Sequence, residues 1–168
     1  MSTSRRAAIA GIVAAVVLFV GCTPAVVVEK GRPVPDFGGT TLTGQSVDLA
    51  QFRGHPVVIN FWGPSCVPCR DEMPLLAAKA KEHAGDGVVI LGVLTDDPVE
   101  PARAFAAEFG GTWDTVIDPG AAIKKTYRVL GRPQSFFVDA SGILRSIQIG
   151  ALTDADFERQ LGLTVHPA

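Results

Sequence analysis

The most informative segment of the chain is Val57-Val58-Ile59-Asn60-Phe61-Trp62-Gly63-Pro64-Ser65-Cys66-Val67-Pro68-Cys69-Arg70. A run that is apolar at nearly every position comes first. That is the mark of a strand covered on both faces. A turn rich in Gly and Pro follows. Two cysteines three residues apart then stand where a helical pattern begins. A C-x-x-C at a strand-to-helix junction reads as a dithiol redox site when a β/α pattern surrounds it.

The flanking chain supplies that pattern. Upstream, Phe37 to Val47 reads as a hairpin turned at Thr43-Gly44-Gln45, and Leu49 to Phe52 as one helical turn closed by Gly54. Downstream, Pro68 to His83 reads as a helix. Met73, Leu75, Leu76, Ala80 and His83 form its inner stripe, with Glu72, Lys79, Lys81 and Glu82 mostly elsewhere. Pro74 inside it predicts a kink. Val88 to Leu94 is a second buried strand, Asp96-Asp97-Pro98 a turn, and Glu100 to Phe109 a second helix. Thr115 to Ile117 is a short extended piece, and Ala121 to Tyr127 a short helix. Ser135 to Asp139 and Ile143 to Ile149 form a late hairpin about Ala140-Ser141-Gly142. Thr153 or Asp154 caps a last helix ending at Leu161-Gly162. This order, with one early parallel crossover and one late antiparallel hairpin, predicts an α/β fold. A mixed central sheet carries helices on both faces and an added N-terminal β-hairpin.

At 168 residues the chain is expected to hold one folded domain. Its N-terminus reads as an address. Arg5 and Arg6 precede an uncharged run, residues 7–20, that fits a signal-peptide core better than a full membrane span. The run ends in Val20-Gly21-Cys22, which resembles a lipoprotein cleavage box. The expectation is therefore a lipoprotein signal peptide over 1–21, cleaved before an acylated Cys22, a tether over 22–33 and the domain over 34–168. Phe19 departs from that box. The paired arginines faintly resemble a twin-arginine signal. An uncleaved anchor helix and ordinary secretory cleavage are the alternatives. All three place the domain outside the cytoplasm.

The formal net charge is −2, and losing the two N-terminal arginines makes it −4. With no basic run and no interleaving of aromatic and basic residues, nucleic acid is not an expected partner. There are three cysteines. Setting Cys22 aside leaves one pair, Cys66 and Cys69, too few and too close for a structural disulfide framework. A bridge across so small a loop stabilises little. A zinc site needs a second Cys/His pair, and His55, His83 and His166 are scattered singly, so no metal is expected.

A helix N-terminus presents free N–H groups and the positive end of the helix dipole. Both favour a thiolate, so the pKa of Cys66 is expected to be lowered. Cys66 at the tip is expected to be reachable and Cys69, one turn in, shielded. Cys66 then attacks, a mixed disulfide forms, and Cys69 resolves it. Pro68 suits the first helical turn. Arg70 adds positive charge nearby, unless it simply faces solvent. The dithiol carries the electrons, so no cofactor is needed.

Asn60-Phe61-Trp62-Gly63-Pro64-Ser65-Cys66-Val67-Pro68-Cys69-Arg70-Asp71-Glu72-Met73-Pro74 resembles the active-site segment of the TlpA/ResA group of extracytoplasmic thioredoxin-like proteins, typically F-W-x-x-W-C-x-P-C-R-x-E-x-P. Tyr127 to Asp139 is similar to the group's Y-x-V-x-x-x-P-x-x-F-x-x-D segment, and the likeness runs from about Val34 to the last helix. It implies a thioredoxin fold with Pro133 as a cis-proline beside the dithiol. The Arg132 backbone would then pair with a substrate strand. Arg132, Pro133 and Trp62 are the candidate substrate-binding residues. The alternatives are a solvent-facing Arg132 and a core-packed Trp62. Two residues depart from the pattern. Ser65 stands where Trp is usual before the first cysteine, which opens the site. Asn60 stands where cytoplasmic thioredoxins carry a buried Asp that assists proton transfer, so the Cys69 proton needs another acceptor among Asp96, Asp97 and Glu72.

The resemblance implies a membrane-anchored, extracytoplasmic thiol–disulfide oxidoreductase, expected as a monomer. Its partners would be cysteine-containing extracytoplasmic proteins and a membrane thiol donor or acceptor protein. Most relatives act as reductants, for instance in cytochrome c maturation, and some as oxidants. A peroxiredoxin-like peroxidase is a third reading, though Pro64-Ser65-Cys66 lacks the Thr that such enzymes carry two residues before their cysteine. A redox-silent peptide-binding module or chaperone is the fourth.

Overall fold

The computed structural model describes residues 28–110 and 113–165; the expected signal peptide, Cys22 and His166 lie outside them. At its centre is a five-stranded sheet in the order β5-β4-β3-β6-β7. The strands are β3 (Val57–Trp62), β4 (Val89–Leu94), β5 (Thr115–Ile117), β6 (Gln134–Val138) and β7 (Leu144–Ile149). β3 runs parallel to β4 and antiparallel to β6. Every residue of β3 is buried. Fully burying a Val, Ile or Phe side chain contributes roughly 1.5–3 kcal/mol, so a strand of this composition belongs in the middle of the sheet.

Alternation along β3 divides the core. Val57, Ile59 and Phe61 pack on one face with Tyr127, Phe136 and Leu144. The hairpin of β1 (Gly38–Thr40) and β2 (Ser46–Asp48) and the short α3 (Ala122–Thr126) cover that side. Val58 and Trp62 point the other way, toward α1 (Val67–Glu82), α2 (Val99–Glu108) and α4 (Asp154–Val165). Helices therefore lie on both faces, as expected. The hairpin forms a separate two-stranded sheet, and it is followed by a 3-10 turn, Leu49–Phe52, capped by Asp48.

The structure corrects several details. Thr115–Ile117 is a third parallel strand, paired with β4, so the chain makes two parallel crossovers rather than one. The last helix passes Gly162 and reaches Val165. There the burial of Leu161 and Thr164 outweighs the roughly 1 kcal/mol helix penalty of glycine. The inner stripe of α1 is Cys69, Glu72, Met73, Leu76 and Lys79, so Glu72 and Lys79 face inward, contrary to expectation. No helix among the described residues is long and apolar enough to cross a membrane.

Candidate active site

The end of β3 and the start of α1 place the two cysteines. Cys66 is the N-cap of α1, with extended backbone, and its Sγ accepts the Cys69 N–H at 3.2 Å. Pro68 lies in the first turn, where its missing donor costs nothing. Cys66 and Cys69 are joined in a disulfide with Cα atoms 5.2 Å apart. Cys69 is completely buried, whereas Cys66 is partly accessible and Val67 between them is 65% exposed. One sulfur is thus open to a reactant and the other faces the core.

Behind Cys69 lies a polar group that the apolar pattern conceals. Glu72, one turn further along α1, is only 2% exposed. Residues three apart on a helix are neighbours on one face, about 5–6 Å between Cβ atoms. Its Oε1 accepts a hydrogen bond from Asn60 Nδ2 at 2.9 Å, and its Oε2 accepts the Leu152 N–H at 2.9 Å. Asn60 Nδ2 also donates to Ser135 Oγ at 3.0 Å. Burial pushes the Glu72 carboxyl above the ordinary carboxylate value, and the Leu152 and Asn60 hydrogen bonds only partly oppose it. Of the three candidate carboxylates, Glu72 alone shares a buried helix face with Cys69. Asp96 pairs with Lys124, and Asp97 with Arg132.

The remaining candidates separate. The Arg132–Pro133 peptide is cis. The Arg132 side chain is neither solvent-facing nor free: its Nη1 donates to the Thr95 carbonyl and to Asp97 Oδ2, both at 2.5 Å. Trp62 is 1% exposed and packs with Phe105, Met73 and Cys69. Its indole fills the space beside Gly92, where an added Cβ would stand 2.8 Å from Nε1. The side chain is thus core, which corrects its candidacy for substrate contact. Arg70, exposed, sets its guanidinium over the Phe105 ring at 4.5 Å from the centroid. Leu130 is 96% exposed on the segment leading to Pro133.

Sequence reasoning missed Ser135, the Leu152 N–H and the pairing of Asp97 with Arg132. The first two join the site only through strand pairing and the packing of the α4 lead-in. The third joins two loops that lie 35 residues apart. The one local hint was Gly63, whose missing Cβ leaves the room that Arg132 and Asp97 occupy.

Residues 30–147 match the AhpC/TSA family. The thiol-disulfide oxidoreductase ResA of Geobacillus kaustophilus is 37% identical over 134 residues, which cover 80% of this chain and 77% of that protein. The thioredoxin-like protein YneN of Bacillus subtilis is 32% identical over 138 residues, 81% of each chain. Among solved structures, a thiol:disulfide interchange protein of the thioredoxin family from Chlorobium tepidum superposes with a TM-score of 0.73 at 25% identity, covering 79% of this chain and 94% of its own. A secreted Mycobacterium tuberculosis disulfide oxidoreductase homologous to E. coli DsbE gives a TM-score of 0.68 at 26% identity, covering 75% and 94%.

Proposed function

This chain belongs to the AhpC/TSA family, with the thioredoxin fold and the dithiol of a thiol–disulfide oxidoreductase, and on that premise we propose that it reduces disulfides in extracytoplasmic proteins while anchored to the outer face of the cell membrane through Cys22. The observation that carries the dithiol exchange in this reading is the contrast between a reachable Cys66 capping α1 and a fully buried Cys69 one turn in. A nucleophile must meet its partner, and a resolving thiol must be kept from it.

In the reducing direction the Cys66 thiolate attacks one sulfur of a substrate disulfide. A Cys66–substrate S–S bond forms and the other substrate sulfur leaves as a thiolate. Cys69 gives its proton to Glu72 and attacks Cys66 Sγ. The internal disulfide closes, the second substrate thiolate leaves, and two electrons have passed from protein to substrate. A membrane thiol protein then returns two electrons to the disulfide. Val67, between the cysteines, offers an exposed apolar contact, and in this reading the backbone of Arg132 and Pro133 frames the substrate strand. Export and anchoring rest on the Arg5-Arg6 segment, the apolar run behind it and Val20-Gly21-Cys22.

The reduction potential tests the direction. Reductants of this fold lie near −270 mV and strong oxidants near −120 mV, both approximate values. A potential in the lower range is expected here, with Cys66→Ser abolishing reduction of a disulfide substrate. A value close to the upper one would reverse the assigned direction.

A further inference from the structure

Three segments remote in sequence meet at the turn that carries Cys66. Ser65 Oγ donates to Asp97 Oδ2 at 2.9 Å. Arg132 Nη1 donates to the same oxygen at 2.5 Å, and Arg132 Nη2 lies 3.4 Å from Ser65 Oγ. The Asp97 side chain is 7% exposed and that of Arg132 14%, so solvent screens this pair little. Both side chains sit over Gly63, where an added Cβ would collide with each. Gly63 in turn holds the cysteine turn closed, its carbonyl accepting the Cys66 N–H at 3.1 Å. The pair is thus bonded to the residue that immediately precedes Cys66, and none of the chemistry described above uses it.

We propose that Asp97 is a positioning residue: it clamps Arg132 to the Cys66 turn and cancels its charge there, so that the pair sets how far the reduced Cys66 thiolate is stabilised. This deepens the oxidoreductase reading and rests on it. The physical basis is charge proximity. A positive group beside a thiolate favours it, a negative group opposes it, and a neutralised pair does little of either. Other charged groups lie near this turn: Arg70 and Glu72 on α1, and Glu108 of α2, which lines the same cleft as Ser65, Arg70 and Asp97. Arg70 is held over Phe105, and Glu72 is buried on the Asn60 side. None of the three is hydrogen-bonded to Asp97 or Arg132, so changing the clamp leaves them in place.

The experiment is a set of reduction potentials measured against glutathione for the wild-type protein and for Asp97→Asn, Arg132→Gln, Arg132→Lys and the double variant Asp97→Asn/Arg132→Gln. Each potential reports two-electron exchange between the dithiol and glutathione disulfide, in which one S–S bond forms as the other breaks. Asp97→Asn leaves Arg132 uncompensated, stabilises the thiolate and so the reduced form, and raises the potential. The expected change is on the order of tenfold in the exchange constant, which is ~30 mV for this couple. Arg132→Gln leaves Asp97 uncompensated and lowers the potential by a similar factor. The double variant returns to within about threefold of wild type. Arg132→Lys keeps the charge but not the fork of hydrogen bonds to Thr95, Asp97 and Ser65, and shifts the potential less than Arg132→Gln does. Should Arg132→Gln fail to fold, the near-isosteric Asp97→Asn still decides, because its shift must be upward. Single variants that shift the same way, or an Asp97→Asn potential equal to wild type, would overturn the proposal while leaving the oxidoreductase reading standing. A wild-type protein that exchanges nothing with glutathione overturns that reading itself.

Discussion

Asn60 and Glu72 face one another across the contact between β3 and α1, a strand amide donating to a helix carboxylate. Asn60 Oδ1 has no hydrogen-bond partner among the described residues, so the amide spends both contacts as a donor, to Glu72 and Ser135. Burial is the leading cause of the raised Glu72 pKa, and it makes this carboxyl a better proton acceptor for a neighbouring thiol than an exposed one. The same shift has a stability consequence whose sign is fixed. The folded protein holds the proton to higher pH than the unfolded chain does, so stability falls as pH rises from the ordinary value of 4.5 through the raised folded value. Glu72→Gln is therefore expected to remove that fall, leaving a stability profile that is flat across this window. It is also expected to slow resolution of a Cys66 mixed disulfide on the order of a hundredfold. Denaturant unfolding at several pH values and single-turnover exchange read the two effects. A variant that resolved at the wild-type rate would remove Glu72 from the mechanism. The residues of the dithiol were legible because their spacing is local. Glu72 was legible as a candidate only. A stripe counted from apolar residues excludes a carboxylate that is satisfied by a strand amide and a distant backbone N–H.

Helix α1 carries chemistry at one end and a structural tie at the other. Lys79, 4% exposed, forms ion pairs with Glu82, Asp154 and Glu158, and His83 bonds Asp86 and Glu158. Burial would lower the His83 pKa, but the hydrogen bonds to Glu158 and Asp86 outweigh it and raise the value. A raised histidine contributes stability that is complete below the ordinary 6.5 and is lost as pH rises through the folded value. His83→Gln is expected to flatten that part of the stability profile without altering disulfide exchange; an unchanged profile would deny the tie a role. On the opposite face, Tyr127 donates to the Pro35 carbonyl at 2.6 Å, within an aromatic group of Phe37, Phe61 and Phe136. Tyr127→Phe leaves that carbonyl without its partner and should cost about 1 kcal/mol, seen as a lower denaturant midpoint with exchange intact. The long strands and the first two helices could be read from periodicity because burial on a face or on both leaves a pattern. β5 was readable only as a short extended piece and not as a member of the sheet, since three residues carry no period. Its place beside β4 is decided by the ladder from Gly92 to Leu94 that it completes.

At the scale of the molecule, one fold holds a half-open disulfide against a buried polar group on one side and an ion-paired clamp on the other. The order of elements was readable because each apolar run has one plausible layer to enter. The loop that brings Arg132 beside Asp97 was not, because such meetings depend on which strands become neighbours. In the proposed reading, the N-terminal segment sets where the chemistry takes place. The protein isolated from the membrane is expected to lack residues 1–21 and to carry lipid on Cys22, read by mass spectrometry; a chain that keeps residues 1–21 would favour an uncleaved anchor. The central claim is that Cys66 attacks and Cys69 resolves. Its most direct test is trapping with Cys69→Ser in the native membrane, followed by non-reducing separation and identification of the captured proteins. Stable mixed disulfides through Cys66 to extracytoplasmic cysteine proteins are expected, dissolved by reductant and absent from Cys66→Ser/Cys69→Ser. Captured species that persist in that double variant, or none at all, would contradict that claim.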